Sequence, residues 1–390
     1  MKSSRWGRAV TAVVIVALLA SGVAGFWWLT RAPVTTTPLN LGVTGDSTGF
    51  ARALSPRDFT FPADHGPHTD YQTEWWYYTG NLTSAAGERY GYQLTFFRRG
   101  LSPTPPQRAS DLATNQIYFA HFAVTDGPAN AHTAAERFSR GAGGLAGASG
   151  QPYRVWLEDW RVESLTTDGS TVHLVARDGE QAIDLTLRAV KPIVAHGDHG
   201  LSPKSEAPGN ASYYLSFTRL ATTGSLTRSN AQVVAVTGES WFDHEWSTSA
   251  LGPGSVGWDW FSLQLSDGRE LMFFQIRHAD GTLEPASGGT LVSPDGTPTR
   301  LSAADVQIEV QSTWRSPNTG GVYPARWRLR VPSAQLDVEL SPVVADQEMR
   351  VSFVYWEGAV QISGSSQGAA VTGAGFVEMT GYTTSIAGQF

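Results

Sequence analysis

The segment SWFDHEWS, residues 240–247, places Asp243, His244 and Glu245 between two tryptophans, Trp241 and Trp246. A carboxylic acid surrounded by apolar groups can stay protonated near neutral pH, because desolvation disfavours the carboxylate and raises its pKa. Aromatic faces stabilise a cation formed nearby by about 0.5–2 kcal/mol per contact. The segment therefore has the residue types needed to transfer a proton in a site that excludes water.

Short aromatic and β-branched runs, separated by turn signals, must position these groups. The chain has 390 residues, of which 14 are Trp and 41 are Gly, and few stretches have helical periodicity. Its length allows two or three domains with a large core. These features predict an antiparallel all-β protein.

The charge and cysteine content exclude several classes of function. The net charge of −7 is spread along the chain without a basic stripe, so we expect no binding to nucleic acid. The sequence contains no Cys, which excludes disulfides and a lipid-modified cysteine.

The N-terminus has the pattern of a targeting segment. Lys2, Arg5 and Arg8 precede an apolar run over residues 12–29. We predict a signal peptide or membrane anchor within residues 1–30, the anchor spanning residues 9–29, and leave cleavage open. Positive charge before the run predicts export to the periplasm or cell envelope, and residues 31–55 have the composition of a linker.

Two segments of the remaining chain resemble each other. Asp64 and His65 precede EWWYYTGNLTSAAGERYGYQLTFFRR (74–99), and Asp243 and His244 precede GWDWFSLQLSDGRELMFFQIRH (257–278). Each contains an acid-His pair, a Trp-rich strand, a turn and a strand with a Phe pair. Duplication predicts two similar β domains, residues 56–236 and 237–390, built as barrels because closure removes sheet edges and encloses an apolar cavity.

Several longer motifs resemble a known family. They are DHGPHTDYQTEWWYYTGNL, VTGESWFDHEWSTSALGPGSVGWDWFSLQL and the closing VYWEGAVQISG and GAGFVEMTGY, within residues 61–382. They are similar to the lipocalin-like family of carotenoid 1,2-hydratase (hydroxyneurosporene synthase), which includes AttH-type secreted proteins and kievitone hydratase. The resemblance implies tandem lipocalin-like barrels and, for the hydratases, addition of water to an isolated carbon–carbon double bond without a cofactor.

This chemistry implies roles for particular residues. Hydration protonates one alkene carbon, passes through a tertiary cation and adds water to the other carbon. We predict Asp259 as the general acid, with His244 orienting or deprotonating the water. The family's H-x-W segment matches His244 and Trp246, whereas Gly257 replaces the Tyr of its Y-x-D segment, which argues against acyclic carotenoids as substrates. The predicted ligand contacts are Trp258, Trp260, Trp241, Trp75 and Tyr77.

Each of these residues also has a structural interpretation. Trp76 and Trp258 could plug the closed ends of the barrels, and Asp259 could accept a hydrogen bond from an indole. His244 could join the domains by hydrogen bonds alone. Glu357 in YWEGAV (355–360) could be a buried, hydrogen-bonded acid.

Other chemistries have weaker support. The pairs at 64–65, 198–199 and 243–244, with His68 and His121, contain zinc-ligand types without a recognised spacing, so we predict neither metal nor cofactor.

Two functions remain. One is a hydratase that acts on an isoprenoid or phenolic substrate. The other is a periplasmic carrier of a lipid or another apolar molecule, working with an ABC transporter permease. They differ in whether a carboxyl group enters the cavity, because a carrier gains nothing from burying an unpaired acid.

Overall fold

A computed structural model describes residues 47–248 and 251–386. The predicted signal or anchor over residues 1–30 lies outside these residues, as does most of the linker. Within the described ranges, none of the helices has the length and apolar character needed to cross a membrane.

The first sheet is antiparallel and has thirteen strands in the order β4-β3-β2-β1-β13-β12-β9-β8-β7-β6-β5, with β10 and β11 also paired to β12. The strands are β1 (Thr73–Ser84), β2 (Arg89–Gly100), β3 (Gln116–Asp126), β4 (Ala131–Arg140), β5 (Ala146–Gly150), β6 (Tyr153–Leu157), β7 (Trp160–Ser164), β8 (Thr171–Asp178), β9 (Gln181–Ala189), β10 (Val194–Ala195), β11 (Leu201–Pro203), β12 (Ala211–Thr227) and β13 (Val233–Ser247).

The second sheet has ten strands in the order β17-β16-β15-β14-β23-β22-β20-β19-β18, with β21 also paired to β22. They are β14 (Ser255–Leu265), β15 (Glu270–His278), β16 (Gly288–Val292), β17 (Pro298–Ser302), β18 (Gln307–Arg315), β19 (Val322–Val331), β20 (Leu336–Pro342), β21 (Glu348–Arg350), β22 (Val354–Ser366) and β23 (Ala369–Met379). The helices of the described chain are single 3-10 turns, Ala63–His65, Ala303–Asp305 and Pro332–Ala334.

Each sheet curls around its own apolar core, which confirms the prediction of two tandem lipocalin-like barrels. Successive side chains on a strand point to opposite faces. On β1, Trp76 and Tyr78 enter the first core, and on β14, Phe261 enters the second. The neighbouring aromatic residues therefore lie on the outer faces of the sheets.

The two Trp-rich strands hold equivalent places in their sheets. β1 pairs with β2 and with β13, the last strand of the first sheet. β14 pairs with β15 and with β23, the last strand of the second. This shared connectivity fits the predicted duplication. The change of sheet, however, comes after Ser247, whereas the predicted boundary at Val236 falls inside β13.

Candidate functional site

An aromatic cavity of about 90 Å³ lies between the outer faces of the two sheets, not inside either barrel. Large apolar side chains of the two cores occupy the barrel interiors, and this cavity lies outside them. The cavity is lined by Trp75, Tyr77, Gln93, Thr95, Phe97, Lys204, Tyr214, Asp243, Glu245, Trp258, Trp260, Phe274, Ile276, Phe353, Tyr355, Glu357 and Glu378.

Each sheet contributes the same Phe-Trp-Glu row to this cavity. In the first sheet, Trp75 pairs in register with Phe97 on one side and Glu245 on the other. In the second, Trp260 pairs with Phe274 and Glu378. The next position along each row is Tyr214 in the first sheet and Glu357 in the second. The two barrels therefore face each other with residues at matching positions.

The second row ends in two carboxyl groups on adjacent strands, Glu357 and Glu378. Burial, reinforced by the nearby Glu378, raises the pKa of Glu357 well above its ordinary value. Burial likewise raises the pKa of Glu378 to about 8. Tyr77 donates a 2.6 Å hydrogen bond to Oε1 of Glu357, while Oε2 has no hydrogen-bond partner within the described chain. Both shifts favour the protonated, uncharged forms of the two carboxyl groups.

Asp243 is a third buried acid at the cavity. Burial raises its pKa to about 7, although hydrogen bonds from Ser216, Tyr214 and Trp241 favour the carboxylate. The Tyr214 hydroxyl and the Trp241 indole each donate at 2.6 Å. Trp260 of the second sheet donates a 2.8 Å bond to Tyr214, so this network joins the two sheets.

Glu245, unlike Glu378, faces a cation. Lys204 Nζ lies 2.7 Å from its carboxylate, and both side chains are almost completely buried. The ammonium group also lies 4.3 Å from the centre of the Phe274 ring. The equivalent acids of the two rows thus have opposite surroundings: Glu245 has a lysine beside it, and Glu378 has another carboxyl group.

The structure does not bring Asp259 to the cavity. Its side chain is on the opposite face of β14 from Trp258 and Trp260, where Arg277 Nε lies 3.1 Å away and Gln275 donates a 2.7 Å hydrogen bond. Burial raises the pKa of Asp259, and the Arg277 charge opposes this effect. This ion pair fits the structural interpretation.

His244 and Trp246 also point away from the cavity, into the first barrel, with ring centres 4.7 Å apart. His244 Nε2 lies 2.8 Å from Glu74, and burial lowers the pKa of the imidazole. Burial disfavours ionised Glu74, but Arg98 and bonds from His244 and His68 outweigh it and hold the Glu74 pKa below its usual value.

His68, Glu74 and His244 have the side-chain types of zinc ligands. The sequence analysis named His68 and His244 among such residues, but not Glu74. Ligand atoms of His68, Glu74 and His244 lie within 4.8 Å of one another. Glu74 already accepts bonds from both imidazoles and from Arg98. Glu74 is thus engaged by three donors, whereas Nδ1 of His244 has no hydrogen-bond partner among the described residues. His121 lies elsewhere, on β3.

Four predicted ligand contacts, Trp75, Tyr77, Trp258 and Trp260, line the cavity, and Trp241 reaches it through its bond to Asp243. Sequence reasoning assigned no cavity role to Lys204, Tyr214, Asp243, Glu245, Tyr355, Glu357 and Glu378. Strand alternation on β13 would have separated Asp243 and Glu245 from His244.

At the missing family tyrosine, a Cβ on Gly257 would lie 2.4 Å from the Thr380 carbonyl oxygen, so the backbone leaves no room for a side chain.

The fold and the shared cavity define a tandem lipocalin-like protein, and comparison with known proteins gives its family. Residues 52–382 match the AttH-like family model, so the chain belongs to the AttH-like family, as its motifs predicted. The crystal structure of a Nitrosomonas europaea protein assigned to AttH superposes with a TM-score of 0.75 at 31% identity, covering 85% of this chain and 100% of that one.

Kievitone hydratase is also similar. The enzyme of Fusarium solani subsp. phaseoli is 23% identical over 233 residues, which are 58% of this chain and 64% of that protein. The match thus spans less than two thirds of that relative. A crystal structure of kievitone hydratase from Nectria haematococca has the same fold, with a TM-score of 0.64 at 18% identity over 86% of this chain and 97% of that one.

Proposed function

We propose that the protein is a cofactor-independent hydratase that adds water to a carbon–carbon double bond of an apolar isoprenoid or phenolic substrate. The observation that carries this proposal is the presence of carboxyl groups with raised pKa values, Asp243, Glu357 and Glu378, at an aromatic cavity. Homology to kievitone hydratase supports the hydratase class. A carrier of apolar molecules has no use for such acids.

In this proposal Glu357 is the general acid. Its Oε2 atom is free of hydrogen bonds from the described residues, while Tyr77 holds Oε1. Proton transfer from Glu357 to one alkene carbon breaks the double bond and leaves a tertiary cation on the other carbon. Glu378 lies directly beside Glu357. Because two adjacent carboxylates repel each other, Glu378 favours the protonated form of Glu357, which is the form that can donate.

The other residues of the cavity stabilise the cation and line the side from which water attacks it. The rings of Trp75, Trp258 and Trp260 offer negative faces to a positive charge. Water then bonds to the cationic carbon and gives up one proton.

The test is water addition to defined alkenes. Wild-type protein is incubated with geraniol or ortho-prenylphenol in water labelled with heavy oxygen, and products are sought by mass spectrometry, together with any ligand that co-purifies. We expect Glu357→Gln to lower the rate about 100- to 10,000-fold, the usual range for a general acid. Binding of the alkene should persist, because the amide keeps the shape and still accepts the Tyr77 hydrogen bond.

The matched control is Glu309→Gln, which changes an exposed glutamate on β18 and should leave the rate unchanged. If wild-type protein binds these alkenes but adds no water, and Glu357→Gln changes only affinity or stability, the hydratase proposal is wrong. That outcome would favour the carrier in the cell envelope, with an ABC transporter permease as its partner.

A further inference from the structure

A chain of three side chains leads from the cavity toward the surface of the first barrel. Tyr355 lines the cavity, and its hydroxyl oxygen lies 2.7 Å from Nδ1 of His121. Nε2 of the same imidazole lies 2.8 Å from Oε1 of Glu136. His121 is completely buried, whereas the Glu136 side chain is 13% exposed. The hydrogen bonds thus connect the cavity with a group at the edge of the solvent.

Both sheets hold this chain in place. His121 and Glu136 are on β3 and β4 of the first sheet, and Tyr355 is on β22 of the second. Ser352 fixes the carboxylate through its hydroxyl at 2.6 Å and its backbone N–H at 3.1 Å. Aromatic rings of Phe97, Phe119 and Phe353 surround the imidazole. The imidazole is fully buried, so its hydrogen bonds are stronger than they would be in solvent.

The chemistry of the three groups sets the direction of the hydrogen bonds. A carboxylate only accepts, so His121 donates its Nε2–H to Glu136. Nδ1 then carries a lone pair and accepts the O–H of Tyr355. A hydroxyl, an imidazole and a carboxylate have the same order and polarity in the Ser-His-Asp triad, where the imidazole removes the hydroxyl proton.

Tyr355 also lies beside the proposed acid. Tyr355 and Glu357 are two residues apart on one face of β22, a spacing of about 6.6 Å from the rise of an extended strand. Burial, with Glu357 and Glu378 nearby, keeps the pKa of Tyr355 well above its ordinary value. The phenolate form of Tyr355 is therefore disfavoured, so its hydroxyl takes up one proton as it gives up another.

We propose that Tyr355 is the catalytic base of the hydration, with His121 and Glu136 as the residues that activate and position it. The assignment rests on the hydratase function proposed above. As the water oxygen bonds to the cationic carbon, one water proton moves to the Tyr355 oxygen and the phenolic proton moves to His121 Nδ1. Glu136 stabilises the resulting imidazolium. The proton then returns through Tyr355 to Glu357, so the cycle consumes only alkene and water.

The test separates protonation of the alkene from addition of water. Full-length protein is incubated with ortho-prenylphenol in deuterated water, and both hydrated product and deuterium exchange at the alkene are measured. In Tyr355→Phe and His121→Gln, we expect addition to fall about 100- to 10,000-fold. Exchange should persist, because Glu357 both donates a proton and takes one back. A purely structural role would reduce both reactions together.

His173→Gln is the matched control, because His173 forms an equivalent 2.8 Å pair with Asp184 at a more exposed site outside the cavity. It should leave both reactions unchanged. Equal addition in wild type and Tyr355→Phe would overturn the assignment while leaving the hydratase function standing. Absence of both addition and exchange in wild type would instead remove the hydratase function, and the base assignment with it.

A readout independent of turnover is the nitrogen NMR spectrum of the His121 imidazole. The proposed direction of the hydrogen bonds requires a proton on Nε2 and none on Nδ1. In Glu136→Gln this preference should weaken, because the amide can donate as well as accept. A wild-type spectrum with the proton on Nδ1 would contradict the relay.

Discussion

Glu74 and Asp259 occupy equivalent positions in the two barrels. Each directly precedes a cavity-lining tryptophan, Trp75 or Trp260, and each lies on the opposite face of its strand. Glu74 pairs with Arg98 at 2.8 Å, and Asp259 pairs with Arg277 at 3.1 Å, the arginine being on the following strand in both cases. A buried acid–arginine pair is therefore a repeated feature of the fold.

We expect Asp259→Asn to reduce stability and to leave hydration within about threefold of wild type. Arg277 would lose a charged partner, which costs about 1–3 kcal/mol of unfolding free energy. Urea denaturation and the ortho-prenylphenol assay measure the two effects. Glu74→Gln should cost more, about 3–5 kcal/mol, because both members of that pair are fully buried. Loss of hydration in a stable Asp259→Asn protein would restore Asp259 as the acid.

Lys204→Met should destabilise the protein by about 3–5 kcal/mol, because it leaves the buried Glu245 carboxylate without its cation. The double variant Lys204→Met/Glu245→Gln should recover most of this loss, since neither charge remains. Denaturant unfolding of the two single variants and the double variant gives the coupling energy. Simple addition of the two single effects would show that the pair is not coupled.

The free energy of unfolding should fall as pH rises from about 6.5 to 8. Below this interval His65, His132, His196 and His244, whose pKa values burial lowers from 6.5, give the opposite slope. The folded protein keeps protons on Asp243 and Glu378, whose pKa values are raised to about 7 and 8, while the unfolded chain releases them near pH 4. Wherever the folded state binds more protons, stability falls with pH, by up to about 1.4 kcal/mol per pH unit for each acid.

Glu378→Gln should flatten this slope, and Glu309→Gln should not. Urea unfolding at a series of pH values measures both. A wild-type stability that stays constant or rises over the interval would mean that the cavity acids ionise as readily as in the unfolded chain.

Protease added to sealed spheroplasts should digest the protein if its body is exported. Positive charges at Lys2, Arg5 and Arg8 before the apolar run predict that the chain beyond about Arg31 lies outside the cytoplasmic membrane. A cytoplasmic marker protein must remain intact as the control. A protected body in such spheroplasts would contradict the predicted export.

Local sequence patterns predicted the strands and the duplication, because aromatic and β-branched runs between turn signals need no knowledge of distant residues. They also located Trp75, Tyr77, Trp258 and Trp260. The acid was harder to place, since Asp259 lies between two tryptophans in sequence but on the other face of the strand. Applying the two-residue period to β13 and β14 would have corrected this.

Other parts of the site depend on register between distant strands. Glu357 and Glu378 become neighbours only through the pairing of β22 with β23, and Glu357 meets Tyr77 across the two sheets. His121 and Tyr355, 234 residues apart, are joined in the same way. No local pattern specifies such contacts, nor that the cavity would form between the barrels.

The paired rows show what is gained by carrying two similar barrels in one chain. Two identical subunits meeting face to face would have to carry the same residue at both copies of each position. In one continuous chain the copies vary independently, so the place held by Tyr214 in one half is held by Glu357 in the other. A symmetric contact surface can thereby become a polarised site, with a proton donor on one wall and an ion pair on the other.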